Sequence, residues 1–280
     1  MTSRRNFIGN AGKIMAIAAV LPAKGFATEA LNPVSSSQPL FRLGMAGYTF
    51  VNFNIDKTLE MMKIVDVHYL CIKDFHLPYK STDEQISAFL KKLKDADITG
   101  YAVGPINGEN ISIDQTFEYA RRVGVKLIIG IPRLEDLPDI EKNVKEHDIR
   151  YAVHNHGPDE KRYTNALSVY SLIKDLDPRI GLCFDIGHNM RFGNDPVEDM
   201  KKYAKRVFDI HLKNVTAPTK AGVACPLGRG IIAIPDFVKI LQQVKYCGSC
   251  SLEYEKDMEA PLTGIAESVG YFKGVCDALK

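Results

Sequence analysis

The sequence predicts a single α/β domain, a (β/α)8 TIM barrel, on three observations. From residue 41 onward, short β-rich runs alternate strictly with amphipathic helical stretches. Eight such pairs occupy about 240 residues, the size of one barrel with no room for a second domain. Several strand candidates, including Leu127-Ile128-Ile129 and Tyr151-Ala152-Val153, are continuous apolar runs, as parallel strands covered on both faces require. A doubly wound open sheet would want a Gly-rich fingerprint after its first strand, and Gly44-Met45-Ala46-Gly47 is not one.

In chain order, strands are expected at Phe41–Met45, His68–Lys73, Thr99–Val103, Lys126–Gly130, Arg150–Asn155, Ile180–Asp185, Val207–Lys213 and Ser249–Tyr254. The first helix, Lys57–Ile64, starts from Asn54 or Asp56. Ser81/Thr82-Asp83-Glu84 reads as an N-terminal cap before Ile86, Phe89, Leu90 and Leu93. Further helices are expected over Asp114–Val123, Leu134–His147, Ala166–Leu176, Pro196–Ala204, Pro235–Val244 and Leu262–Leu279. Pro196, Pro235 and Pro261 suit first helical turns.

The composition, 45% hydrophobic and 25% charged, excludes disorder and coiled coil. A net charge of +2 without a basic run gives no case for a nucleic-acid partner. The positive excess is local: residues 1–27 carry Arg4, Arg5, Lys13 and Lys24 and no acid. A basic start, an apolar run from Ile14 to Leu21 and a small-residue end at Gly25-Phe26-Ala27 describe an export signal. The run is well short of the roughly 20 residues of a membrane span. Ser3-Arg4-Arg5-Asn6-Phe7-Ile8 resembles a bacterial twin-arginine signal, with an ordinary Sec signal or an amphipathic helix as alternatives. The expectation is a periplasmic protein with a signal over 1–27, a flexible leader over 28–39 and a barrel over 40–280. Removing the four basic residues leaves 32 Lys+Arg against 34 Asp+Glu, so the expected mature chain is slightly acidic. Cys71, Cys183 and Cys276 read as small buried hydrophobes. Cys247-Gly248-Ser249-Cys250 precedes a strand rather than a helix, so it reads as a structural pair or two free thiols, not a redox motif.

A barrel carries its chemistry at the C-terminal ends of its strands. There the last four expected strands each offer a metal-ligand type: His154, Asp185, His211 and Glu253. Their separations of 31, 26 and 42 residues are each about one βα unit. Two imidazoles and two carboxylates at one level suit one divalent ion of intermediate hardness, Mn²⁺, Co²⁺ or Zn²⁺, with Mg²⁺ a harder option. Whether His154 or His156 is the ligand stays open. His188, His156 and Lys213 are candidates for proton transfer or for steadying substrate oxygens, with support of the ligands as the alternative for His156 and Lys213. Tyr48, Lys73, His76 and Arg229 end other strands or loops and are candidate substrate contacts.

Phe184-Asp185-Ile186-Gly187-His188, Ile210-His211-Leu212-Lys213-Asn214, Pro226-Leu227-Gly228-Arg229-Gly230 with Ile234-Pro235, and Leu252-Glu253-Tyr254-Glu255 together resemble the xylose isomerase-like barrel superfamily. That group includes sugar and sugar-phosphate isomerases and epimerases, inosose dehydratases and the endonuclease IV type. The resemblance implies a divalent metal held by strands 5 to 8 and polyol or keto-sugar chemistry beside it. Epimerases of the group usually have Glu where this chain has His154, and that Glu is one of two facing acid/base carboxylates. The resemblance therefore implies metal binding while casting doubt on a two-Glu epimerisation. The leading expectation is a metal-dependent sugar or keto-sugar isomerase or epimerase, with Glu253 as candidate base. The alternative is a lyase or dehydratase that eliminates a β-leaving group from a keto-sugar or keto-glycoside. A non-catalytic sugar-binding barrel is a third reading. The expected partner is a small sugar derivative, with no stable membrane anchor and homo-oligomerisation left open.

Overall fold

Thr82 and Ser112 illustrate how local chemistry starts the helices. Each side chain accepts a hydrogen bond from the backbone N–H three residues on, at Gln85 and Gln115, and each glutamine returns a bond to the cap's own N–H. These capping boxes satisfy backbone donors that a helix start otherwise leaves orphaned. Asn165 forms the same reciprocal cap with Ser168, and the Asn54 side chain accepts from the Lys57 N–H.

The computed structural model describes residues 41–280; the expected signal over 1–27 and leader over 28–39 lie outside the described residues. The barrel strands are β1 (Arg42–Ala46), β2 (Tyr69–Ile72), β3 (Thr99–Asn107), β4 (Leu127–Ile131), β5 (Arg150–His154), β6 (Ile180–Asp185), β7 (Val207–Leu212) and β8 (Ser249–Leu252). All neighbours run parallel, and β1 pairs with both β2 and β8, so the sheet closes. Helices α1 (Ile55–Ile64), α2 (Asp83–Asp95), α3 (Ile113–Val123), α4 (Leu137–His147), α5 (Ala166–Ile173), α6 (Ile186–Arg191), α7 (Pro196–Tyr203), α8 (Ile234–Gln243) and α9 (Leu262–Ala278) cover it. Among the described residues, no helix is long and apolar enough to cross a membrane.

Strand alternation divides the core in two. Phe184, Ile210 and Leu252 belong to the large apolar layer between strands and helices. Cys71, Ala102, Leu127, Ile129, Ala152 and Cys183 form a small cluster of their own in the barrel interior. The same alternation turns Asp185, His211 and Glu253 inward at the C-terminal mouth.

Three departures from the sequence expectation have physical reasons. β3 runs past Gly104-Pro105 to Asn107, and its register with β4 shifts between Val103 and Ile106, because a proline cannot donate to the ladder. α4 is entered through a single 3-10 turn, Leu134–Asp136, with Pro138 in the first α turn. Between β6 and α7 lies α6, too short to leave a periodic pattern; Asp185 is its N-cap. The loop after β7 also contains an unanticipated two-stranded hairpin, Asn214–Val215 with Ala224–Cys225.

Candidate metal centre

Asp185 uses its two carboxylate oxygens differently. Oδ1 accepts from the backbone N–H of His188 at 2.7 Å and caps α6, while the buried Oδ2 is turned toward His154 Nε2 at 3.7 Å and the Lys213 ammonium at 3.2 Å. Asn155 locks the same point of the barrel: its amide donates to the Asp185 carbonyl and accepts from the Asp185 N–H, both at 2.9 Å. β7 carries His211 opposite Asp185 in register, and the Glu253 N–H extends the ladder to the Leu212 carbonyl at 3.0 Å.

The result is a buried set of four donors, His154, Asp185, His211 and Glu253. His154 Nε2 lies 3.2 Å from His211 Nδ1 and 3.7 Å from Asp185 Oδ2, and His211 Nδ1 lies 3.1 Å from Glu253 Oε2. A tetrahedral ion with bonds of about 2.0–2.2 Å has donor-to-donor edges of roughly 3.3–3.6 Å. Donor separations of 3.1, 3.2 and 3.7 Å bracket those edges and fit a divalent ion. Burial holds the pKa of His154 down at about 4, so it is the neutral imidazole a metal needs. Burial also disfavours the Asp185 and Glu253 carboxylates, but Lys213 and the neighbouring imidazoles outweigh it and keep both ionised. His156 is outside the group of candidate donors, which takes His154 from β5; its ring stacks on His188 with centroids 4.7 Å apart.

Lys213 lies against this set rather than beyond it. Its buried ammonium is 3.2 Å from Asp185 Oδ2, 2.9 Å from Glu253 Oε2 and 3.0 Å from Glu255 Oε2. Burial alone would lower its pKa; Asp185, Glu253 and Glu255 raise it well above the usual lysine value. Its stem passes where a Cβ on residue 187 would sit 2.6 Å from Lys213 Cγ, so position 187 is glycine. His188 Nε2 is 3.2 Å from the ammonium, which makes His188 a neighbour of Lys213 and of Asp185.

Above the donors opens a cavity of about 210 Å³ lined by Tyr48, Lys73, Asn107, His156, Glu253 and Glu255, among others. Tyr48 and Lys73 thus line the cavity; Lys73 is oriented by Asp74 at 2.6 Å and by the Pro105 carbonyl at 2.9 Å. A larger groove of about 650 Å³ between the β2 loop and α3 contains none of the donor residues. Two expected contacts are corrected. His76 turns away, with Nε2 bonded to the Phe53 carbonyl at 3.0 Å and near Thr58 Oγ1, so it ties the β2 loop to the β1 loop. Arg229 is solvent-exposed and pairs with Glu267 of α9, outside the cavity.

The sequence reasoning passed over Glu255 and Asp209. Both continue the inward alternation of a ligand strand, two residues beyond Glu253 and two before His211, and that period was the available signal. Burial raises the pKa of Glu255 against the opposing pull of Lys213. All six cysteines are free; Cys247 is exposed and Cys250 is buried in β8, so they are two free thiols.

The described residues form a closed (β/α)8 barrel with a buried His/Asp/Glu group at its mouth that could hold a divalent ion. The chain belongs to the xylose isomerase-like TIM barrel family, whose sequence profile matches residues 45–275. An inosose dehydratase of Clostridium botulinum is 27% identical over 127 residues, covering 40% of this chain and 42% of that protein. The chain thus matches about two fifths of that relative's length. An uncharacterised protein from Parabacteroides distasonis has a solved structure with 27% identity and a TM-score of 0.67, covering 85% of this chain and 99% of that one. The IolI protein, solved with a bound zinc atom, shares the fold at a TM-score of 0.66 and 16% identity, covering 84% and 96% of the two chains.

Proposed function

We propose that the chain is a divalent-metal-dependent lyase of keto-sugars or related keto-polyols, removing a proton next to a carbonyl and eliminating a group from the β carbon. The observation that carries this reading is the one-sided placement of acid groups around the cavity. Its lining carboxyls, Glu253 and Glu255, both come from the end of β8. The wall across the barrel, from β3 to β5, presents Pro105, Asn107, Ile131, His154 and His156 instead. Epimerisation with two facing bases needs a carboxylate on each wall; elimination needs a base on one and a proton donor on the other.

A divalent ion on His154, Asp185, His211 and Glu253 would supply Lewis-acid polarisation of the substrate carbonyl. Glu253 is held strongly anionic by Lys213 and His211, which suits a ligand better than a base. Glu255, whose pKa burial raises against the pull of Lys213, takes the proton from carbon. Lys213 steadies the carboxylate as its charge changes. His156 faces the cavity from the other wall and delivers a proton to the departing oxygen. Lys73 and Tyr48 orient the substrate's hydroxyls and ring.

Kinship with a protein named inosose dehydratase favours elimination on chemical grounds. A one-faced proton shift between neighbouring carbons, an isomerisation, uses the same Glu255 and is the second reading. The test incubates the metal-loaded chain with keto-sugars and keto-glycosides in D₂O and follows products by NMR. Loss of the β substituent with a new enone or its hydrate is expected. Isomerisation with the substituent retained supports the second reading, and stereochemical inversion without elimination contradicts the lyase.

A further inference from the structure

Asp209 is a fully buried carboxylate inside the barrel, where the neighbouring side chains Cys71, Ala102, Ile129, Ala152 and Cys183 are small or apolar. Burying an ionisable group in such a place is costly unless it is paired or hydrogen-bonded. Its partners are few and directional. The Tyr101 hydroxyl donates to Oδ1 at 3.0 Å and also contacts Ser251 Oγ; the Cys183 thiol points at Oδ2 at 3.6 Å. Oδ2 itself faces His211 Nε2 at 3.6 Å, just beyond hydrogen-bond length, and that buried nitrogen has no other partner. The opposite ring nitrogen, Nδ1, is the one that faces His154 and Glu253.

We propose that Asp209 is a positioning residue for His211: anchored by Tyr101, it holds a proton on Nε2 and so turns the Nδ1 lone pair into the four-donor site. The chemistry is that of a carboxylate behind a ligating imidazole, which fixes the tautomer and ring orientation and raises ligand basicity. The inference rests on the metal-binding reading of the site, and Asp209 itself touches neither ion nor substrate.

The test titrates zinc into the full chain and its Asp209→Asn and Tyr101→Phe variants by competition calorimetry. In parallel, ¹⁵N-histidine labelling of the zinc-loaded chain reads the His211 tautomer. Asp209→Asn is expected to bind the same number of ions about 10–100-fold more weakly. The zinc-loaded Asp209→Asn variant should also lose the fixed Nε2-protonated tautomer of His211 in its ¹⁵N spectrum, a change that a merely structural role would not produce. Wild-type His211 is expected to carry its proton on Nε2, and Tyr101→Phe to weaken binding in the same direction by a smaller factor. If Asp209→Asn fails to fold, Tyr101→Phe decides: unchanged affinity overturns the proposal. A wild-type chain that binds one ion with His211 protonated on Nδ1, or with Asp209→Asn affinity unchanged, overturns this inference alone. A wild-type chain that binds no ion overturns the metal reading with it.

Discussion

Lys213 and Glu253 meet at one atom: the ammonium lies 2.9 Å from Oε2, the same oxygen that faces His211 Nδ1 at 3.1 Å. A divalent ion held by these donors would therefore share a carboxylate oxygen with the lysine cation. Lys213→Met should destabilise the chelated protein by about 3–5 kcal/mol, because Asp185 and Glu253 lose their buried counter-charge. Metal should restore much of that loss, since the ion neutralises the same oxygens. Melting curves with chelator and with zinc test this; equal losses in both would contradict it.

Position 187 guards the same lysine. Gly187→Ala places a methyl group 2.6 Å from Lys213 Cγ and 2.8 Å from its Cβ. Overpacking of this kind costs about 1–3 kcal/mol. The ammonium must also move, so Gly187→Ala should share the metal-rescued stability loss of Lys213→Met in thermal denaturation.

The metal-free protein should weaken as pH rises from 6.5 to 9. Burial opposes the charged form of His211, but Glu253, Asp209 and Asp185 raise its pKa to about 9, above the unfolded value of 6.5. A raised folded-state pKa stabilises fully below the unfolded value and loses that contribution as pH passes the folded one. The melting temperature of chelated protein, followed over this window, should fall; His211→Asn should flatten the slope.

Glu255→Gln separates proton transfer from metal binding. The amide keeps the shape but cannot take a proton, so turnover should drop by about 10²–10⁴-fold. Metal affinity should stay near wild type, because Glu255 is outside the donor set. Arg229→Ala serves as the contrast: its exposed pair with Glu267 contributes little, and both activity and metal affinity should be retained.

The barrel and the grouping of the four candidate donors were legible because both follow the chain's regular spacing. β6 begins and ends where its apolar run does, and Asp185 closes that run. His154, Asp185, His211 and Glu253 recur at one βα unit each, so closure alone brings them together. Beyond β2, side-chain direction follows no such period. Lys73 and His76 both follow β2, yet one lines the cavity and the other is pulled away by the Phe53 carbonyl. Glu255 and Asp209 were hidden differently: each sits two residues from a ligand, and their inward alternation acquires meaning only once closure sets that strand's inner face.

The four donors at the barrel mouth are arranged to hold one divalent ion. Anomalous diffraction from crystals of the zinc- or cobalt-loaded chain, recorded at the metal's absorption edge, tests this directly. One peak bounded by His154 Nε2, Asp185 Oδ2, His211 Nδ1 and Glu253 Oε2 is expected. A peak elsewhere, ligation by Cys183 or His156 in place of one of these atoms, or no bound ion would contradict the account.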